Sequence, residues 1–208
     1  LMLVAILGNT SFMGIPIVNA YMGESAIPYV LVYDQLGTFI ALAIYGTFIA
    51  SYYSSKNQIT FKIITLKVLT FPPFISLVAA LFLMGVEFNP ILSKVLASFS
   101  STIVPMALVA VGLQLQFKLP KEDLKPFSIA LVIKLIIAPI FAIIICKIFS
   151  WDNEVSVVSI MESAMAPMIT AGAIASMAGL APRLSSAIVG YGILISFITT
   201  AILFKLIN

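Results

Sequence analysis

The sequence predicts an all-α polytopic membrane protein built as an inverted repeat around two broken helices. Three observations carry that prediction. The 208 residues are 62% hydrophobic and 9% charged, with a mean hydropathy of +1.17, whereas a soluble domain of this size shows far more polar surface. The apolar residues gather into runs of the roughly 20 residues that a helix needs to cross a bilayer. The first and the sixth of those runs each hold a proline among small polar residues.

Seven runs are expected to span: 2–21, 29–51, 63–84, 95–115, 127–149, 155–178 and 186–207. Run 2–21 contains GNTSFMGIP at 8–16. Pro16 removes a donor and disfavours helix at Ile15, and Gly8 and Gly14 loosen the same stretch. Asn9, Thr10 and Ser11 can then serve the freed backbone groups or receive a ligand. YMGESAIP (21–28) leads into run 29–51, which holds Asp34 and Gly37. YYSSKNQITFK (52–62), GVEFNPILSK (85–94) and QFKLPKEDLKP (116–126) are polar breaks around runs 63–84 and 95–115. Run 127–149 holds Lys134 and the sole cysteine, Cys146. After KIFSWDNE (147–154), run 155–178 contains MESAMAPMITAG at 161–172, where Pro167 breaks the helix and Glu162, Ser163 and Thr170 flank the break. GLAPRLSS (179–186) opens the last run.

The landmarks of the first two runs recur in the last two. Pro16, Gly23, Pro28 and Gly37 have counterparts in Pro167, Gly179, Pro182 and Gly192, at separations of 151 to 156 residues. The copies are an odd number of crossings apart and so point in opposite directions, the arrangement of an inverted repeat. Three runs precede the second broken helix without counterparts before the first, so the intact protein is expected to have ten spans, seven of them here. Irregular backbone within a bilayer is tolerated where it is buried in protein or lines a cavity. Two interrupted helices in matching halves therefore point to a binding site near the midplane, with half-helix N-termini offering N–H groups to an anion. The residues expected to bind it are Asn9, Thr10, Gly14, Pro16, Ser163 and Pro167.

Three charged residues lie deep inside runs, away from their ends: Asp34, Lys134 and Glu162. Such residues are costly in lipid and are functional candidates by default. Lys134 and Glu162 each stand about 12 Å in from opposite ends of their runs at helical rise, at similar height in the membrane. Lys134 is expected either to pair with Glu162 or to attract the anion. Glu162, with Asp34, is the candidate for ion or proton coupling, by H+ or Na+. The row Ala171, Ala175, Gly179 suits close helix packing.

Composition excludes much else. There is no histidine, so Ser-His, Cys-His and His-metal chemistry are absent, and one cysteine allows neither a disulfide nor a thiolate metal site. No enzyme activity, metal or cofactor is expected. The net charge of +3 comes from loop lysines and gives no support to a nucleic-acid partner. Lys56, Lys62, Lys67, Lys118, Lys121, Lys125 and Arg183 face one side, against Lys94, Lys147 and Lys205 on the other. The positive-inside rule makes the first side cytoplasmic and puts the C-terminus outside. Trp151, Tyr29 and Tyr33 near the outer side, and Tyr52 and Tyr53 near the inner, suit interfacial belts. The competing class is a seven-helix membrane receptor or a transporter-like sensor, which explains neither the opposed broken helices nor a chain that starts inside an apolar run.

NTSFMGIPIVNAYMG (9–23) resembles the broken fourth helix of the auxin efflux carrier family of membrane permeases, through Asn9, Thr10, Gly14, Ile15, Pro16 and Gly23. STIVPMALVAVGLQL (101–115) is similar to that family's seventh helix, and ESAMAPMITAGAIA (162–175) to its broken ninth, with Ala166 standing between the Met and Pro that are usually adjacent. The resemblance spans essentially the whole chain as helices four to ten. It implies a bile acid–sodium symporter-like fold in which helices four and nine cross at their broken centres. It further implies a transport domain (1–55 and 119–208) moving like an elevator against scaffold helices (56–118). The function implied is secondary transport of a small organic anion, a carboxylate, across the plasma (inner) membrane. A homodimer is compatible with that reading.

Overall fold

The computed structural model describes residues 1–53, 66, 69, 72–103, 105, 106, 109, 113, 121–177 and 179–207. They are mostly helical, and among them the only β feature is one isolated bridge. Among the described residues, three helices are long and apolar enough to cross a membrane: α3 (Glu24–Gly46), α6 (Leu124–Ile148) and α9 (Pro182–Ile207). They correspond to the predicted runs 29–51, 127–149 and 186–207.

The two runs predicted to be broken are broken. The first is α1 (Met2–Ile6), an extended link, and then a π-helical turn, Thr10–Gly14, that leads into α2 (Ile15–Met22). The second is α7 (Glu154–Ser163), a link, and then α8 (Ile169–Met177). The first break is not where Pro16 was expected to make it. The chain leaves helical geometry at Leu7–Asn9, and Pro16 follows the π-helical turn as the second residue of α2 without ending the helix. Gly8, not Pro16, stands opposite Pro167.

The remaining runs, 63–84 and 95–115, are described only in part, as α4 (Pro72–Phe82) and α5 (Pro90–Ser101). Most of STIVPMALVAVGLQL and the lysines at 56, 62, 67 and 118 lie outside the described residues. Helix α5 begins inside the stretch taken for a loop, because the Asn89 side chain accepts the Ile91 N–H (2.9 Å) and Pro90 follows at the first helical position. Its side chains are exposed throughout.

Local chemistry sets the other ends. Gly23 and Gly179, matched as landmarks in the sequence, both adopt positive φ (83° and 73°), as helix-terminating glycines do. At Gly179 the Schellman pattern is complete: its N–H reaches Ser176 O (3.0 Å) and the Leu180 N–H reaches Ala175 O (2.8 Å). A capping box between Asn153 and Ser156 starts α7.

The core lies where the broken helices meet. Val4, Met13, Met161, Met165 and Ala166 are fully buried there, and Ile188 and Ile193 of α9 close one side. Helix α8 packs along α9, with Ala171 and Ala175 buried. A Cβ on Gly192 would fall 2.5 Å from Pro167 Cδ, so glycine is what admits the proline of the second break against α9. Apolar burial gives little net drive inside a bilayer, and small residues that let backbones approach supply the packing instead.

Candidate site at the crossing of two broken helices

The two breaks cross. Leu7–Asn9 and Ala166–Met168 run antiparallel as a single β-bridge, Gly8 opposite Pro167. The Asn9 N–H donates to Ala166 O (2.7 Å), and the Met168 N–H donates to Leu7 O (2.9 Å). Pro167, which has no N–H, occupies the position of the bridge that needs none. An unpaired backbone group at this depth costs several kcal/mol, so each break satisfies the other.

Two half-helices start at the bridge. The first amides after it to find acceptors within the turn are those of Met13 and Gly14, both on Asn9 O. The amides of Thr10, Ser11 and Phe12 are therefore the open N-terminal donors of α2's lead-in. Gly172 is the corresponding residue after the second break, bonding Met168 O, so the open donors there are on Ile169, Thr170 and Ala171. Two positive dipole ends thus face the crossing.

The three in-run charges come together here. Among the described residues, Asp34, Lys134 and Glu162 are the buried ionisable side chains, at 3%, 3% and 0% exposure. Thr10 Oγ1 donates a short hydrogen bond to Asp34 Oδ1, and Gln35 Nε2 donates to Oδ2 (2.7 Å). The Lys134 ammonium donates to Ser163 O (2.8 Å) and not to Glu162. Both carboxylate oxygens of Glu162 are buried and accept no hydrogen bond, and Asn9 Nδ2 is likewise buried and unpartnered. The Glu162 carboxylate lies across Gly14, where a Cβ would overlap both oxygens.

A cavity of about 330 Å³ opens beside the bridge, lined by Gly8, Thr10, Tyr33, Thr38 and Glu162 among others. Thr10 is the one predicted anion-binding side chain on its wall. Asn9 and Pro167 form the bridge, Gly14 backs Glu162, and Pro16 is buried in the first turn of α2. The Ser163 hydroxyl turns back onto Ile160 O (2.6 Å). Tyr33, expected in an interfacial belt, is half-buried and lines this cavity. It also lines a second cavity of about 380 Å³ next to Trp151, Asn153 and Cys146. Tyr33 and Thr38 were missed by sequence reasoning, and a tyrosine one residue before an in-run aspartate was the available signal. Cys146 is buried, as an inert apolar residue would be.

The profile of a family described as membrane transport protein matches residues 1–204. A protein of Methanocaldococcus jannaschii named as an uncharacterized transporter is 28% identical over 79% of this chain and 54% of its own length. Another of Methanothermobacter thermautotrophicus, named in the same way, is 22% identical over 80% of this chain and 54% of its own length. The chain spans about half the length of these curated relatives.

Proposed function

This chain belongs to the membrane transport protein family, and on that premise we propose that the whole protein is a secondary active transporter of a small organic anion, a carboxylate. The observation that carries the reading is the bridge between two broken helices, with open half-helix amides and a cavity holding Thr10 and Glu162 beside it. Half-helix N-termini near the membrane midplane are how such proteins hold anionic groups. The proposed transport domain is 1–55 with 119–208, moving elevator-like against scaffold helices within 56–118. The two broken helices are its inverted copies, within an intact ten-span fold.

The charges suggest the coupling. The cluster holds two carboxylates, Asp34 and Glu162, and one ammonium, Lys134. Asp34 is held by two donors, whereas Glu162 has none. An anion arriving in the cavity is repelled by an ionised Glu162 and accepted once Glu162 carries a proton. Substrate and proton therefore enter together. Tyr33, Asp34 and Lys134 are the titratable groups near Glu162.

The test is uptake by the full-length protein in liposomes. Labelled dicarboxylates and aromatic carboxylates are offered under imposed proton or sodium gradients, with wild type beside Asn9→Ala and Glu162→Gln. Saturable uptake is expected, driven by a proton gradient, lost in Asn9→Ala and insensitive to pH in Glu162→Gln. Folded protein that takes up no anion would remove the carboxylate reading.

A further inference from the structure

We infer that Lys134 is a tethered cation: its ammonium fills the place at the C-terminal end of α7 that an inorganic monovalent cation would otherwise take. The crossing then needs no sodium ion at that position. This rests on the transporter reading and deepens it by assigning one of its ions.

The last carbonyls of α7 show the arrangement. Ile160 O accepts from the Ser163 hydroxyl (2.6 Å), Met161 O from the Ala164 N–H (3.1 Å) and Glu162 O from the Met165 N–H (3.2 Å). Ser163 O is left, and it points at Lys134 Nζ (2.8 Å). Half-helix C-termini carry partial negative charge, and in transporters their carbonyls coordinate Na+. Here the cation is covalent.

The surroundings are shaped for it. Lys134 sits in the π-helical turn Ile133–Ile137 of α6 and is 3% exposed. A Cβ on Gly8 would fall 2.9 Å from Nζ and 3.2 Å from Cε, so glycine at the bridge leaves the ammonium head its present place and a side chain there would displace it. The ammonium thus touches both breaks: the end of α7 and the bridge at Gly8. It is also the one buried cation near two buried carboxylates among the described residues. A cation on a side chain cannot be released to solvent in each cycle. It holds the crossing in register and leaves Glu162 as the exchangeable position.

Thermal unfolding of the full-length protein in detergent tests this, because it reads cation occupancy whether or not any carboxylate is carried. Sodium chloride is titrated against choline chloride at equal ionic strength. The wild-type midpoint is expected to be the same in both salts. Lys134→Ala, which opens the space and removes the charge, is expected to unfold several degrees lower in choline and to recover saturably with sodium. Lys134→Ser should do likewise, with a hydroxyl as an added ligand. A saturable sodium shift in the wild type overturns the proposal. So does a folded Lys134→Ala or Lys134→Ser whose midpoint ignores sodium, or matches the wild type in choline. If neither variant folds, the wild-type titration decides alone. Loss of carboxylate uptake with this pattern intact would instead count against the transported substrate.

Discussion

At the scale of single residues, Gly14 and Glu162 form the tightest constraint in the site. Glu162 is fully buried, and its carboxylate rests where a side chain on residue 14 would be. Gly14→Ala must therefore move the carboxylate or the backbone, at a cost of about 1–3 kcal/mol for overpacking. The expected result is a lower midpoint of thermal unfolding and loss of proton-driven uptake. Gly37→Ala is the packing control: a Cβ there meets nothing within 4 Å, and the unfolding midpoint should stay at the wild-type value. The sequence already marked Asp34, Lys134 and Glu162, because charges inside apolar runs stand out without any structure. It marked Gly14 for a different reason, as a residue that loosens a turn. Its close approach to Glu162 was hidden because the partner belongs to the other broken helix. The same distance concealed that Lys134 bonds a backbone carbonyl and not the carboxylate one residue away.

At the scale of elements, three of the polar residues in the cluster share a local device. Thr10 lies in the π-helical turn Thr10–Gly14, Asp34 in Tyr33–Thr38 and Lys134 in Ile133–Ile137. A π turn inserts one extra residue and rotates the helix beyond it, and such turns concentrate at functional sites. None was legible, since an i→i+5 bond inside an apolar run leaves no residue signature. The helix ends were legible. Gly23, Gly179 and Asn153 act through their own backbone or the nearest amides, and those rules are local. The contact that locks the first broken helix to α3 is the Thr10–Asp34 hydrogen bond. Thr10→Val removes the donor and leaves a buried carboxylate oxygen short of one, at a cost of about 1.5–3 kcal/mol for a bond to a charged group. Thr10→Ser keeps the hydroxyl and should keep most of the stability. Equal midpoints for Val and Ser variants would show that the bond contributes nothing to holding the two elements together.

At the scale of the whole molecule, the proposed inverted repeat makes a claim about sidedness. The bridge shows that the two breaks meet antiparallel, with α1 and α7 ending at the crossing and α2 and α8 starting from it. For the copies to be inverted, α1 and α7 must approach from opposite faces of the membrane. The chain between α6 and α7 then lies on the face opposite the chain between α8 and α9. The positive-inside rule predicts Lys125 and Arg183 on the cytoplasmic side and Asp152 and the exposed Trp151 on the outer side. Cysteine labelling can read this directly, on a background in which the buried Cys146, the one cysteine of this sequence, and any cysteine elsewhere in the full-length protein are replaced by serine. On that background Asp152→Cys is expected to react with a membrane-impermeant maleimide in intact cells. Lys125→Cys and Arg183→Cys should react only after permeabilisation. If all three label from one side, α7 to α9 do not cross as an inverted copy, and the substrate site could not be exposed to each face in turn by moving the crossing. If the pattern is reversed as a whole, the repeat stands and the orientation inferred from the lysines is the part that fails.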